Sequence, residues 1–242
     1  MNNEVLLKSN EEKIIIHDFN NETKEQVFEL EENSHLVYIT FQHGNNTNLN
    51  NKLIANLKKD AHLEIYNIVT SDLISEINQI INLNDFGANV EIINLLLLTK
   101  NATLDSKIEV FHKEKHTSSN LSNYAIAKDE AKIILDNNAT IKKGCSSSLA
   151  HQSTKGLTLS KSTKIKALPN LYIDEYDVIA SHACSIGSIN KEDLFYLMSR
   201  GMTQEEASKI IVMGYVKPIL DHIKDELVKK EVQKEFETYI LN

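Results

Sequence analysis

The sequence predicts a mainly β protein with a small α-helical segment at its C-terminus. From Glu4 to about Ser181, apolar residues occur in short bursts rich in Ile and Val, bounded by Asn, Asp, Gly or Lys, a pattern typical of strands. An apolar stripe with a 3.6-residue period is lacking there and begins only after Ser188. The chain has 242 residues, enough for one large domain with a sizeable core.

The strands are clearest in four bursts. These are Lys13–His17, His35–Phe41, His62–Thr70 and Asn89–Ile93. Several bursts start with a small residue followed two positions later by an aliphatic one, which places both on one strand face with the small residue at a corner. These pairs begin at Ala61, Ala88, Ala102, Ala131, Ala139 and Thr163. Their irregular spacing resembles one coil, or a fraction of one, of a β-solenoid, but a β-sandwich gives the same short strands.

The helical signals start just after Ser188. Asn190 is placed to N-cap a helix with acidic residues in its first turn, and Gly201 is placed to end it. Thr203 and Glu206 form a capping box that predicts the start of a second helix.

The second helix has apolar residues at spacings of four. They are Ile211, Tyr215, Ile219 and Ile223, with Val212, Val216 and Leu220 beside them. We expect Pro218 to kink this helix or end its first part, and a charged helical run to follow from Glu226 to about Leu241. The sequence therefore predicts a β core over residues 1–188 and a helical domain over residues 189–242.

Composition limits the function classes. Asp and Glu number 34 against 26 Lys and Arg, and the net charge of −8 argues against a nucleic acid or an anionic membrane as partner. The longest apolar stretch, Ile92–Leu98, is interrupted by Asn94 and is far shorter than the ~20 residues of a membrane span. The first residues lack a signal-peptide pattern, so we expect a cytoplasmic protein.

Several catalytic motifs are missing from the sequence. It contains no P-loop, no Gly-x-Gly-x-x-Gly and no Gly-x-Ser-x-Gly, so we expect no directly bound nucleotide. An enzyme on a β-solenoid, such as a polysaccharide lyase or an acyltransferase, would need clustered carboxylates or a hexapeptide repeat, and neither is evident.

His182 and Cys184 form the densest candidate site. On a strand they project from the same face and could together ligate one soft metal, although two ligands do not complete a site. The alternative is a structural histidine beside an inert cysteine. The other cysteine, Cys145, is too distant in sequence for a Cys-x-x-Cys pair, so both are expected to be free thiols or ligands. His112 and His116 have the spacing of a helical metal pair, but their β-type surroundings predict surface or turn histidines.

Arg200 is the only arginine, against 25 lysines. It is placed either to complete a helix dipole ahead of Gly201 or to clamp an interface or a neighbouring subdomain with its bidentate guanidinium group.

Six segments, in this order and spacing, resemble the SufB/SufD family of iron–sulfur cluster assembly. They are Phe111–Asn120, Ala150–Gln152, Leu157–Ser160, Ala167–Leu171, Asp177–His182 and Asp193–Gly201. The resemblance covers roughly residues 85–225 and implies a right-handed parallel β-helix, a β-solenoid, with a C-terminal α-helical subdomain.

Two positions indicate a SufD-type subunit. The SufB pattern has a cluster-building cysteine where this sequence has Thr163, and a glutamate after the histidine where it has Ala183. His182 matches the histidine that the SufD pattern places at a cluster site shared with SufB. Cys184 departs from the pattern and is either an added ligand or a buried substitute for a small residue.

The resemblance implies a non-catalytic scaffold subunit that pairs with a SufB-like subunit and with the SufC ABC-type ATPase. A transient iron–sulfur cluster would be shared with the partner, with His182 as metal ligand and Cys184 beside it. In the helical domain, Arg200, Tyr196 and Tyr215 are the candidate partner-binding residues. A SufB-like homodimer with SufC is the alternative.

Overall fold

The computed structural model describes residues 3–19, 24–44, 49–71 and 74–220, with individual positions between 223 and 236. The first seven strands are β1 (Asn3–Leu7), β2 (Glu12–Asp18), β3 (Lys24–Leu30), β4 (His35–Gly44), β5 (Leu49–Leu57), β6 (His62–Ser71) and β7 (Ile74–Leu83). The next seven are β8 (Asn89–Leu98), β9 (Thr103–His112), β10 (Ser118–Ala127), β11 (Lys132–Ile141), β12 (Ser148–Thr158), β13 (Lys164–Ile173) and β14 (Val178–Ser188). The helices are α1 (Lys191–Ser199) and α2 (Gln204–Leu220).

All strand pairing is parallel, and the two sheets take alternate strands. The odd-numbered strands form sheet A, in the order β1 to β13, and the even-numbered strands form sheet B, in the order β2 to β14. Strands that are neighbours in a sheet are therefore separated by one full coil of the chain. Asn94 and Asn123, which are paired in register on neighbouring strands, are 29 residues apart in sequence. A sandwich of antiparallel hairpins is excluded, and the predicted parallel β-solenoid is confirmed.

The apolar core lies between the two sheets. Four of the predicted corner residues, Ala61, Ala88, Ala102 and Ala131, are fully buried at the turns before β6, β8, β9 and β11. Ala139 is also buried but lies inside β11, so its predicted position at a strand start was wrong. Small residues at the corners let the chain turn sharply while the aliphatic residue two positions later enters the core.

The turns between strands depend on left-handed backbone conformations. Among the described residues, positive φ occurs at seven that are not glycine: Asn10, Asn33, Asp60, Lys100, His116, Asp129 and Ser147. At the turn before β8 the position is Gly87, with φ of 73°. A Cβ atom there would collide with the side-chain carboxylate of Asp60, so glycine at this turn avoids both the left-handed strain and a displacement of that side chain.

A column of buried polar side chains runs along the inner face of sheet B. Asn67 donates from Nδ2 to Asn94 Oδ1 at 2.7 Å, Asn94 donates to Asn123 Oδ1 at 2.6 Å, and Asn123 donates to Thr154 Oγ1 at 3.1 Å. Each amide side chain donates a hydrogen bond to the side chain on the next coil. Amides can therefore be buried inside an apolar core. The register continues this column from Thr154 to Cys184 in β14.

The helix caps agree with the sequence prediction. Asn190 Oδ1 accepts a hydrogen bond from the Glu192 backbone N–H at 2.9 Å, and Gly201 follows α1 with φ of 94°. The backbone N–H of Thr203 donates to Glu206 Oε2 at 2.7 Å while Thr203 Oγ1 accepts from the Glu206 backbone N–H at 3.2 Å, which is a complete capping box. Helix α2 continues to Leu220 and therefore does not end before Pro218; the kink and the segment after residue 236 lie outside the described residues.

Helix α2 packs against the outer face of sheet B. Its buried residues belong to one cluster with outward-facing side chains of the sheet. The helical members are Val212, Val216, Leu220, Ile223, Val232 and Phe236, and sheet members include Ile39, Tyr66, Ile68, Ile93, Leu95 and Leu97. Val212, Val216, Leu220 and Ile223 of the predicted apolar face are buried, whereas Tyr215, which was also assigned to that face, is exposed. β14 ends at Ser188, as the predicted boundary requires, and the division into two domains stays a prediction.

Candidate functional site

His182 and Cys184 lie on β14, the last strand of sheet B. The register pairs His182 with Gln152 and Cys184 with Thr154 in β12. Gln152 and Thr154 are buried on the inner face of the sheet, so His182 and Cys184 project from that same face. No strand pairs with the far side of β14 in the described part of the chain, and both side chains are exposed there.

The inner-face residues in register with His182 change from apolar to polar toward the β14 end of the solenoid. With His182 included, these residues are Tyr38, Ile65, Ile92, Leu121, Gln152 and His182, so four apolar or aromatic rungs are followed by two polar ones. Gln152 Nε2 donates to the Asn170 carbonyl of β13 at 3.2 Å, whereas none of the described residues forms a hydrogen bond with its buried Oε1. Beside His182 the described part of the solenoid therefore holds an acceptor that is still unsatisfied.

The loop between β13 and β14 fixes the start of β14. Glu175 Oε2 accepts from the Gly144 N–H at 2.8 Å, and its Oε1 accepts from the Tyr176 N–H at 2.9 Å. These backbone donors lower the pKa of the Glu175 carboxyl group. Ser147 adds a backbone hydrogen bond to the Asp177 carbonyl and donates from Oγ to Asp177 Oδ2 at 3.0 Å. The loop is thereby tied to the turn of the preceding coil, which sets the register of the strand that carries His182.

Exposed apolar side chains surround this end of the solenoid. They are Leu168, Tyr172 and Ile173 on β13, Tyr176 in the loop, and Ile179 and Ile186 on β14. Tyr176 is fully exposed and Ile179 is 63% exposed. Because β13 and β14 are both edge strands in the described chain, this end combines unpaired backbone groups with apolar surface. We call it the open end of the solenoid.

The three candidate partner-binding residues are exposed on the helices. The Arg200 guanidinium group donates to Tyr196 Oη at 3.1 Å and lies over the Tyr196 ring, 5.2 Å from its centre. Arg200 is the C-cap of α1, which agrees with the helix-terminus interpretation of this residue. Tyr215 lies on the solvent side of α2. The role of these three side chains stays a prediction.

The structure corrects one histidine prediction. His112 is not a surface or turn histidine, because it is fully buried at the end of β9 and contacts the hydroxyl groups of Thr117 and Ser119. Burial lowers its pKa to about 4. His116 is in a turn, as predicted. Cys145 is buried with its Sγ 3.3 Å from the His112 carbonyl, and burial raises its pKa, as in an unreactive thiol.

One polar cluster was missed by the sequence reasoning. His35, His62 and Glu64 have ligand-type atoms that all lie within 4.8 Å of one another. The available signal was the 27-residue separation of His35 and His62, which equals the separation of the corner residues Ala61 and Ala88 and therefore places the two histidines on neighbouring coils.

Comparison with known proteins identifies the family. Residues 5–215 match the model of the SufBD core domain of the SUF system for iron–sulfur cluster assembly. The chain belongs to the SufBD core family. The match covers the solenoid, the open end with His182 and Cys184, α1 and most of α2. No helix within the described residues is both long and apolar enough to cross a membrane.

The curated SufBD relatives include SufD proteins. The chain is 35% identical to the iron–sulfur cluster assembly protein SufD of Bacillus subtilis over 51% of its own length and 28% of that protein's. It is 23% identical to SufD of Escherichia coli over 73% of its own length and 42% of that protein's. A SufBD family protein of Pyrococcus horikoshii is 37% identical over 40% of this chain and 23% of its own. The chain thus spans less than half of these relatives, and the SufD names support the type predicted from Thr163 and Ala183.

Proposed function

We propose that this chain is a SufD-like, non-catalytic scaffold subunit in iron–sulfur cluster assembly. It pairs through the open end of its solenoid with a SufB-like subunit and through its helices with a SufC-type ATPase. The observation that carries the proposal is the position of His182 and Cys184 on the inner face of an edge strand, within the apolar surface of the open end.

The open end supports pairing with a second β-rich subunit. Two edge strands present backbone donors and acceptors that another strand can satisfy, and the exposed apolar residues around them gain free energy when water is removed. A second solenoid end has both features, so a SufB-like subunit is the partner whose chemistry fits this surface.

The chemistry of His182 and Cys184 suits an iron–sulfur cluster in transit. An imidazole nitrogen and a thiolate sulfur are both iron ligands, and the two side chains are two residues apart on one strand face. A cluster needs about four ligands, so the partner subunit supplies the others and the cluster lies at the subunit boundary. A pair of ligands at an interface holds its cargo only while the complex is assembled, which fits assembly and transfer.

The helices support docking of an ATPase. No described residue of α1 is buried, and its Phe195, Tyr196 and Met198 are exposed although apolar or aromatic. Helix α2 is anchored by Val216 on the solenoid, so a force applied to the helices reaches sheet B directly. ATP-driven movement of the bound ATPase would therefore act on the scaffold.

The open end is tested by co-expression of this chain with a SufB-like subunit. Ile179→Lys removes an exposed apolar side chain worth about 1.5 kcal/mol or more on burial and adds a charge, so recovery of the SufB-like subunit should fall at least tenfold. The matched control is Ile14→Lys, at the opposite end of sheet B, where the isoleucine is 50% exposed. Equal recovery with both variants would contradict the assignment. A chain that forms homodimers and cluster without a SufB-like subunit would support the alternative homodimeric scaffold.

The ATPase surface is tested with a point variant, because deleting the helices would uncover the apolar outer face of sheet B. Phe195→Lys should abolish co-purification of the ATPase while the solenoid keeps its unfolding temperature. Phe86→Lys, at an exposed phenylalanine in the turn after β7, is the matched control and should retain the ATPase. Full recovery with Phe195→Lys would show that the ATPase docks elsewhere.

A further inference from the structure

His35, His62 and Glu64 form a compact polar cluster on the outer face of sheet B, far along the sheet from β14. His35 and His62 are the first residues of β4 and β6 and are directly paired in register. Glu64 follows two residues after His62 and faces the same side. The cluster therefore joins two neighbouring coils.

The three ligand atoms converge on one point. His35 Nε2 lies 2.9 Å from Glu64 Oε1, and His62 Nε2 lies 3.3 Å from that same oxygen. The two imidazole rings are 4.7 Å apart between centres. Ligand atoms around a tetrahedral zinc ion are about 3.3 Å apart when the bonds are about 2.0–2.1 Å, so these separations need only small side-chain shifts.

The outer contacts orient the ligands as they do in metal sites. His62 Nδ1 lies 3.0 Å from Asn89 Oδ1, and Tyr66 donates from its hydroxyl group to Glu64 Oε2 at 2.9 Å. These contacts leave His62 Nε2 and Glu64 Oε1 directed at the common point. The carboxylate is nearly buried, with 8% of the side chain exposed, whereas each histidine is 33% exposed, so water can enter from the histidine side.

The contacts of His62 match those of a metal-bound imidazole. Its Nδ1 faces Asn89 Oδ1, to which an N–H can donate, and its Nε2 faces Glu64 Oε1. With the proton on Nδ1, the Nε2 lone pair is available to a metal ion. Two imidazoles and one carboxylate are the donor set that suits zinc and related divalent transition metals.

We propose that His35, His62 and Glu64 bind one divalent transition-metal ion of the zinc class, with water completing the coordination. The ion links the coils of β4 and β6 on the outer face of the solenoid. Tyr66, which orients the carboxylate, belongs to the cluster that holds α2, so the ion also stabilises the base on which the helices pack. The site is separate from His182 and does not depend on the proposed cluster chemistry.

The test is titration of the purified full chain with Zn²⁺ against a chromophoric competitor. The wild-type chain should bind one equivalent that Glu64→Gln and His62→Gln lose. Asn89→Ala should keep the equivalent with affinity reduced about 10- to 100-fold, the usual effect of removing an outer partner of a ligand. His116→Asn, at an exposed turn histidine, is the matched control and should bind as the wild type does.

Co²⁺ distinguishes this site from the exposed thiol of Cys184. Co²⁺ at nitrogen and oxygen ligands gives visible bands without the near-ultraviolet band of a cobalt–thiolate bond, and Glu64→Gln should remove those visible bands. Circular dichroism of each variant verifies folding, and His35→Asn, at a partly exposed position, replaces any variant that does not fold. Equal Zn²⁺ binding by wild type and Glu64→Gln would overturn the proposal. Absence of binding by the wild type would also overturn it.

Discussion

The buried histidine at the end of β9 makes a quantitative prediction about acid stability. His112 is fully buried, with Nδ1 2.8 Å from Thr117 Oγ1 and Nε2 2.9 Å from Ser119 Oγ. A hydroxyl group can donate or accept, so this pair of partners suits a neutral ring, and burial lowers the pKa from 6.5 to about 4. The folded protein therefore resists protonation that the unfolded chain accepts.

The sign and size of the pH effect on the free energy of unfolding follow from the difference between the two pKa values. Above pH 6.5 neither state is protonated at His112, and its contribution to stability is intact. As the pH falls from 6.5 toward 4, the unfolded state gains a proton that the folded state does not, so the free energy of unfolding falls by about 2.5 kcal/mol at pH 4.5 and about 3 kcal/mol at pH 4. Below pH 4 the loss levels off.

The assay is urea unfolding at pH 7 and at pH 4.5. His112→Gln keeps a neutral side chain with a donor and an acceptor, and it should lose about 2.5 kcal/mol less than the wild type between these two pH values. His116→Asn removes an exposed histidine and should keep the wild-type pH dependence. An identical pH dependence in the wild type and His112→Gln would refute the assignment of a neutral buried ring.

Three further predictions concern packing and turns. Val216→Ala should destabilise the chain by about 2 kcal/mol because Val216 is fully buried against sheet B, whereas Tyr215→Ala should cost under about 1 kcal/mol, both measured by urea unfolding; equal effects would contradict the observed phase of α2. Gly87→Ala should lower the thermal unfolding temperature, since it forces an unfavourable φ and a collision with Asp60, and an unchanged temperature would argue against this turn. Asn94→Leu should cost about 2 kcal/mol in unfolding free energy by leaving its ladder partners unsatisfied, and a stabilised variant would show that the polar column is dispensable.

Much of the fold could be predicted because its signals are local. The bursts of Ile and Val, four of the five corner alanines and the capping residues Asn190, Thr203 and Glu206 act over a few residues and have their predicted structure. The spacing of the strands along the sequence did not distinguish a β-solenoid from a β-sandwich. The two folds differ in strand direction and pairing, which are determined by long-range packing.

The missed features depend on tertiary contacts. His112 lies in the buried phase of β9, and its ring is accommodated by the hydroxyl groups of Thr117 and Ser119, which lie across the turn into β10. On α2, sheet B buries Val216 and leaves Tyr215 exposed, although both residues belong to the predicted apolar face. The His62 and Glu64 cluster required knowledge of the coil length, since its third member, His35, is one coil away.

The central claim is tested most directly by the iron and sulfide content of the complex formed with a SufB-like subunit and the ATPase, purified without oxygen. His182→Ala should abolish or strongly reduce the cluster while the subunits remain associated, because only an exposed polar side chain at the open end is removed. His151→Ala is the matched control: His151 is exposed on the outer face of the neighbouring strand, 2.6 Å from Ser181 Oγ, and its loss should leave the cluster intact. A His182→Ala complex with the full wild-type content of iron and sulfide would contradict the account.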